Sequence, residues 1–234
     1  MFKGYVKKSS KPRARRSNNP IVIKEDCEVI YFNSKSTEYI KLSDGTLGRI
    51  CKLSNLFGGA EFEYMASRFT QPEVTRFFDT MERCNPETFL SFLKELQPNK
   101  KWTLKQETYW FCDGEPIRGI IAQMLGTMVR DTPTAKKRRQ IVAQKLGLES
   151  ITFKKELTPE DKQAWMKVCL DHKYIHGSEF AKILLATGNA ILHEKPMRGS
   201  PNAWSYKYND DPSKQGGDWL GQLLMQVREE IRDK

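Results

Sequence analysis

A chain of 234 residues, 38% hydrophobic and 29% charged, is long enough for one generous domain, and it holds no apolar run of about 18 residues that would span a membrane. The net charge is +10, but the first 24 residues hold eight Lys or Arg and no acid, so the remainder is nearly balanced. That arm lacks the apolar stretch of a secretory signal. The five scattered cysteines form no C-x-x-C pair, which reads as reduced thiols in the cytoplasm rather than a disulfide scaffold.

The arm, residues 1–20, reads as disordered by itself, because "KKSSKPRARRSNNP" has no core-forming pattern. Its cations Lys7, Lys8, Lys11, Arg13, Arg15 and Arg16 suit nucleic-acid phosphates without sequence choice; a solubilising tail is the plainer alternative. Next, "EVIYFNS" reads as a buried strand and "YIKLSDGTLGRI" as a hairpin turning at Asp44-Gly45. The Gly58-Gly59 turn runs into a helix over Glu61–Phe69, with Phe62, Met65, Ala66 and Phe69 on one apolar face.

Two further helices start at Gln71-Pro72-Glu73 and Asn85-Pro86-Glu87. Their core faces are Val74, Phe77, Phe78 and Met81, then Phe89, Phe92, Leu93 and Leu96. "QPNKKWTLKQETYWFCDGEP" reads as loop or short strand, followed by an apolar helix from Ile117 to Met128. Thr132-Pro133 opens a basic helix in which Lys136–Arg139 wrap all sides and are read as mostly solvated. Thr158-Pro159 starts a helix with Trp165, Val168, Cys169 and His172 inward; Ser178 caps the next, which ends at Gly188. After a polar loop, Asp218 opens a last helix with Leu220, Leu223, Leu224, Val227 and Ile231 inward. The class is α+β: predominantly helical with a small N-terminal β-sheet.

Chemistry-bearing residues stand at element boundaries: Ser54 and Asn55 before the glycine turn, Glu61 at a helix start, Trp165, Trp204 and Asp218. Each has a structural alternative. Glu61 complements a helix dipole, Asp218 makes a good N-cap, and Trp165 fits a core face. Trp204 lies in a loop with little core to join, which favours stacking on a planar ligand. Cys169, His172 and His176 lack a fourth ligand, and no metal site is expected.

The same segments resemble, in chain order, the NADAR superfamily of YbiA-like N-glycosidases. "VIYFNS" looks like the family's I-x-F-x-S strand and "LSNLFGG" like its L-S-N loop. "EFEYMASRF" is similar to E-x-x-Y-x-A-x-[KR]-F through Glu61, Tyr64, Ala66, Arg68 and Phe69, and "AWMKVCLDHKY" to the W-x-x-V helix ending in K-[FY]. "FAKILLATGNAILHE" and "GGDWLGQLLMQVREEI" resemble the T-G and closing R-E motifs. The likeness covers residues 28–69 and 164–232 of a domain at 21–234, with a divergent helical insertion at about 70–163. Trp204-Ser205-Tyr206 replaces the family's W-G-x-G, and Asp218 stands where the family has Asn.

The resemblance implies a YbiA-like fold and hydrolysis of an N-glycosidic bond of a ribosylated base, with no metal or redox cofactor. Glu61 would be the catalytic carboxylate, with Glu107 in "KQETYWF" a rival. Ser54, Asn55, Arg68, Trp165, Trp204 and Asp218 would bind a substrate containing ADP-ribose or a phosphoribosyl group. The basic arm favours ADP-ribosylated guanine in nucleic acid over riboflavin-pathway or NAD-derived nucleotides. A non-catalytic ADP-ribose or nucleic-acid binding module, or a structural protein, is the alternative class.

Overall fold

The computed structural model describes residues 20–83, 86–96, 118–154, 156–196, 203–206 and 217–234. The basic arm and the segment carrying Glu107 lie outside them. So do residues 197–202 and 207–216 of the long loop, and Cys84 and Cys112. In chain order the elements are β1 (Val29–Phe32), β2 (Tyr39–Lys41), β3 (Leu47–Arg49), a 3-10 turn (Ile50–Leu53), α1 (Ala60–Ala66), α2 (Pro72–Arg83) and α3 (Pro86–Leu96). There follow α4 (Arg118–Met128), α5 (Pro133–Leu146), α6 (Pro159–Lys173), α7 (Glu179–Ala186), β4 (Ile191–Glu194) and α8 (Trp219–Arg232). Among the described residues the chain is α+β and mostly helical, and no helix is long and apolar enough to cross a membrane.

The expected hairpin forms. β2 and β3 are antiparallel, Gly45 takes the left-handed φ of 82° that the turn needs, and the Asp44 carboxylate accepts the Thr46 amide at 3.0 Å. The expected N-terminal sheet is different. β1 does not join the hairpin; it pairs in parallel with β4, in register Val29↔Ile191 through Phe32↔Glu194. Two two-stranded sheets result, one of them closed by a strand from the far end of the sequence. The "AILHE" segment was legible only as the tail of a helical motif, because four residues carry too little period-2 signal to declare a strand.

Two hydrophobic cores meet at α1. Ala60 and Tyr64 face the first, built from β1, the hairpin, α6, α7, β4 and α8. Phe62, Ala66 and Phe69 face the second, built almost wholly from residues 70–153. A seven-residue helix is marginal alone, and burial on both flanks stabilises it, at about 1.5–3 kcal/mol for each large side chain. The helix ends at Ala66, short of the expected Phe69, where the Ser67 hydroxyl donates to the Tyr64 carbonyl at 2.7 Å. Phe69 instead forms an antiparallel bridge with Phe153.

Capping follows the sequence closely in the helical half. Thr158 and Asp161 form a reciprocal capping box on α6, Thr132 and Ser178 cap α5 and α7, and Gly188 is left-handed at φ 57°. The core stripes of α3 and α8 are buried as read. The face of α6 is corrected: Met166, Cys169, Leu170 and Lys173 point inward, while Val168 and His172 are exposed. The true stripe begins one residue after Trp165, because α6 must present Lys173 to the 3-10 turn. The four consecutive cations of α5 are also corrected. Lys136 and Lys137 are exposed, but Arg138 donates to Thr127 Oγ1, and Arg139 donates to the carbonyls of Met128 and Arg130. The two arginines thus satisfy the end of α4, and Arg139 lies over the Phe153 ring.

Candidate active site

The site grows from the loop before α1. Residues Ile50–Leu53 and Ser54 are buried, and α6 fastens them from below. The Lys173 ammonium donates to the carbonyls of Lys52 and Ser54 at 2.8 and 2.7 Å, and the Tyr174 hydroxyl donates to Leu53 at 3.2 Å. Gly58 and Gly59 then turn in the left-handed region. A Cβ on Gly58 would meet Lys173 Cγ at 2.9 Å and Phe180 at 3.0 Å, so the turn demands glycine both for φ and for space. The Glu61 amide donates to the Asn55 carbonyl at 2.9 Å, which sets the start of α1 against the loop.

Three carboxyl groups from distant parts of the chain converge there. Glu61 comes from α1, Glu194 from the end of β4, and Asp218 from the residue before α8. The Ser54 hydroxyl hydrogen-bonds Glu194, whose carboxyl feels the charges of Glu61, Asp218 and Lys173. Burial pushes Glu61 up to about 7, outweighing the helix dipole that favours its charged form. Burial, then the Glu61 and Asp218 charges, push Glu194 up to about 8 against the opposing pull of Lys173 and Ser54. Both glutamates therefore exchange protons near neutral pH, as an interacting pair.

A stability consequence follows from the same burial. A carboxyl whose pKa rises on folding keeps its proton in the folded chain after the unfolded chain has lost it. Stability is then fullest below the unfolded value near 4.5 and declines as pH climbs through 7 to 8. Glu194→Gln is expected to melt with the wild type at pH 5 and above it at pH 8.5, by thermal denaturation followed at both pH values. Equal melting temperatures at pH 8.5 would mean that Glu194 is not held in a buried, protonated state.

Asp218 does not cap α8 as expected. It adopts a left-handed φ of 54°, makes no side-chain cap bond, and places Oδ2 2.6 Å from His193 Nδ1, with 6% of the residue exposed. The histidine opposes the burial that raises this carboxyl. Trp204 is corrected too: it has a core to join. Residues 203–206 lie between β4 and α8 through Tyr206 N–H to the Glu194 carbonyl at 2.8 Å and Trp219 N–H to the Ala203 carbonyl at 3.0 Å. The Trp204 ring meets Tyr64 and Trp219 edge-on, at 5.6 and 5.3 Å between centroids. Since Tyr64 lies one turn after Glu61, Trp204 forms an aromatic wall on the flank of α1 that carries the carboxyl.

Trp165 lies on α6, and Arg68 follows the end of α1. Trp165 is half-buried with the Lys154 ammonium 4.3 Å above its ring, and Arg68 donates to the Lys154 carbonyl at 3.0 Å. Both anchor the chain leading into α6; only Arg68 is felt electrically at Tyr64. The Cys169 thiol is pushed up to about 12, chiefly by burial and then by Glu63, so it is no nucleophile at neutral pH. His172 Nδ1 lies 3.0 Å from Glu63 Oε2, and among the described residues no group of three His, Cys, Asp or Glu could hold a metal. A cleft of about 490 Å³ lies on the other flank of α1, lined by Phe62, Glu63, Ala66, Ser67, Phe69, Thr75 and Asp79. It includes none of the converging carboxyls.

The structure therefore gathers Ser54, Glu61, Trp204 and Asp218, and puts Asn55 at their edge by its backbone. The residue missed by sequence reasoning is Glu194. Its signal was present, as the final acid of "FAKILLATGNAILHE", but an acid ending a motif carries no direction until β4 is paired. His193 was missed for the same reason. Compared with known proteins, the chain matches no family model, and no curated protein or solved structure is significantly similar to it.

Proposed function

We propose that the protein is an N-glycosidase that hydrolyses the bond between a ribosyl carbon and a base nitrogen, removing ADP-ribose from modified guanine in nucleic acid. The observation that carries this reading is the meeting of Glu61 with Glu194 beside the Ser54 loop, two carboxyls that burial pushes up to about 7 and about 8, where each can exchange a proton near neutral pH. Hydrolysis of an N-glycosidic bond passes through an oxocarbenium-like state, positive at the anomeric carbon. Ionised Glu61 stabilises that charge and takes a proton from the attacking water. As the carbon–nitrogen bond breaks and the carbon–oxygen bond forms, protonated Glu194 gives its proton to the departing base nitrogen. The Ser54 hydroxyl holds Glu194 in place, and Trp204, half-buried against Tyr64, offers an apolar face for base or ribose. The chemistry requires no electron transfer.

The cations of residues 1–24 favour a polyanionic substrate over a riboflavin-pathway or NAD-derived nucleotide. The direct test incubates the protein with an oligonucleotide carrying ADP-ribosylated guanine and follows free ADP-ribose. Release supports the reading; binding without release supports a non-catalytic reader. The His193–Asp218 contact favours that second reading, because it engages one of the three carboxyls. Deleting residues 1–20 is expected to weaken oligonucleotide binding and flatten the plot of log affinity against log salt, by roughly 0.7 for each lost phosphate contact to a single strand. An unchanged slope would remove the arm from substrate binding.

A further inference from the structure

The β1–β4 ribbon has one face in the first core and another turned outward. Parallel register sets Val29 beside Ile191 and Tyr31 beside His193, and the outward row continues along β4 to Lys195. Tyr31 is 42% exposed and Ile191 47%. The Tyr31 and His193 rings lie 5.4 Å apart, and Tyr206 stacks on His193 at 3.9 Å with an angle of 14° between planes. Lys195 Nζ stands 5.4 Å above the Tyr31 ring. Tyr31, Tyr206 and Lys195 thus form an outward surface over His193, whose side chain is only 16% exposed.

We infer that this face, Tyr31 and Tyr206 with Lys195, is a docking platform for the unstacked bases of single-stranded nucleic acid. Flat aromatic rings accept any base, since each base has a π-face, and a neighbouring ammonium takes the phosphate that follows. Charge is distributed accordingly. Lys195 stands at the C-terminal end of the ribbon, beside the site, whereas the exposed acids Glu25, Asp26 and Glu28 precede its N-terminal end. A strand on the platform is thereby drawn toward the Lys195 end. Platform and site share β4: Glu194 is among the carboxyls, and His193, under Tyr206, reaches Asp218 through Nδ1. The inference takes its polyanion from the function proposed above, but its test needs no turnover.

The test measures fluorescence anisotropy of an unmodified, labelled 12-nucleotide single strand with the full chain, Tyr31→Thr and Tyr31→Phe. Threonine keeps the β preference of an exposed strand position, and phenylalanine keeps the ring. The expected result is at least a fivefold loss of affinity for Tyr31→Thr, near wild-type affinity for Tyr31→Phe, and an unchanged salt slope in both. Base–aromatic contacts act by stacking and not by counterion release, which is the work of the arm. The wild type should also prefer the single strand to a duplex of equal length. Equal affinities of Tyr31→Thr and wild type, or equal binding of duplex and single strand, would overturn the platform. Because the probe carries no ADP-ribose, either outcome is independent of whether the protein is an N-glycosidase.

Discussion

Glu61→Gln is expected to lower the rate of ADP-ribose release by at least about a thousandfold, roughly 4 kcal/mol of transition-state stabilisation, while leaving substrate affinity within a few-fold of wild type. The amide keeps the size of the carboxyl and its place at the start of α1, but can neither carry negative charge nor accept a proton from water. Folding is not put at risk. The wild-type group sits where burial has already raised it to about 7, so a neutral side chain there is expected to melt at or above wild type in alkaline buffer. The wild-type rate should also be bell-shaped, rising as the first carboxyl of the pair ionises near pH 7 and falling as the second loses its proton near 8. Single-turnover rates across pH 5.5–9, for wild type and variant, check both expectations. Equal release by the variant would reduce Glu61 to a buried helix start, and tight binding without release by either protein would make the chain a reader.

A second large effect is expected from Gly221→Ala, and its sign is diagnostic. Alanine is the better helix former by about 1 kcal/mol, so a solvent-facing glycine in α8 would give a more stable protein on this change. Gly221 is instead pressed against β4. A Cβ there would come within 2.1 Å of the Leu192 carbonyl oxygen and 2.7 Å of an Asp218 carboxyl oxygen. The carbonyl belongs to a strand paired with β1 and cannot retreat without pulling Glu194, two residues on, out of the site. We expect a loss of about 3 kcal/mol or more, which for a chain of this size lowers the melting temperature by roughly 6–12 °C. A variant that also loses activity at temperatures where it stays folded would tie the α8–β4 contact to the carboxyls. Melting within 2 °C of wild type would show that α8 is not seated on β4.

Asp218 links these two expectations. It stands in the left-handed region, where a residue with a Cβ rarely sits, next to Gly221 and opposite His193. The hydrogen bond to His193 offsets that strain, and the resulting arrangement sets a third carboxyl near Glu194. Asp218 thus has a partner in this chain, on the neighbouring strand.

What the sequence determined by itself was the local structure. Thr132, Thr158, Ser178 and Gly188 mark helix ends because their side chains, or the lack of one, satisfy backbone groups within the same turn. The stripes Phe89–Leu96 and Leu220–Ile231 were legible because α-helical periodicity repeats over three or four turns, and the Asp44-Gly45 hairpin because its signal spans two residues. Glu61 could be named as a candidate but not distinguished from a helix-dipole partner, since its proton affinity depends on elements that bury it from far away in the chain. The tertiary structure alone decided the pairing of β1 with β4, the inward turn of Lys173 in place of His172, the packing of Trp204 between Tyr64 and Trp219, and the meeting of Glu61 with Glu194. Each depends on contacts between residues far apart in sequence, which leave no periodic trace. A four-residue strand becomes a strand, and an acid at its end becomes part of a site, only when packing selects the neighbour.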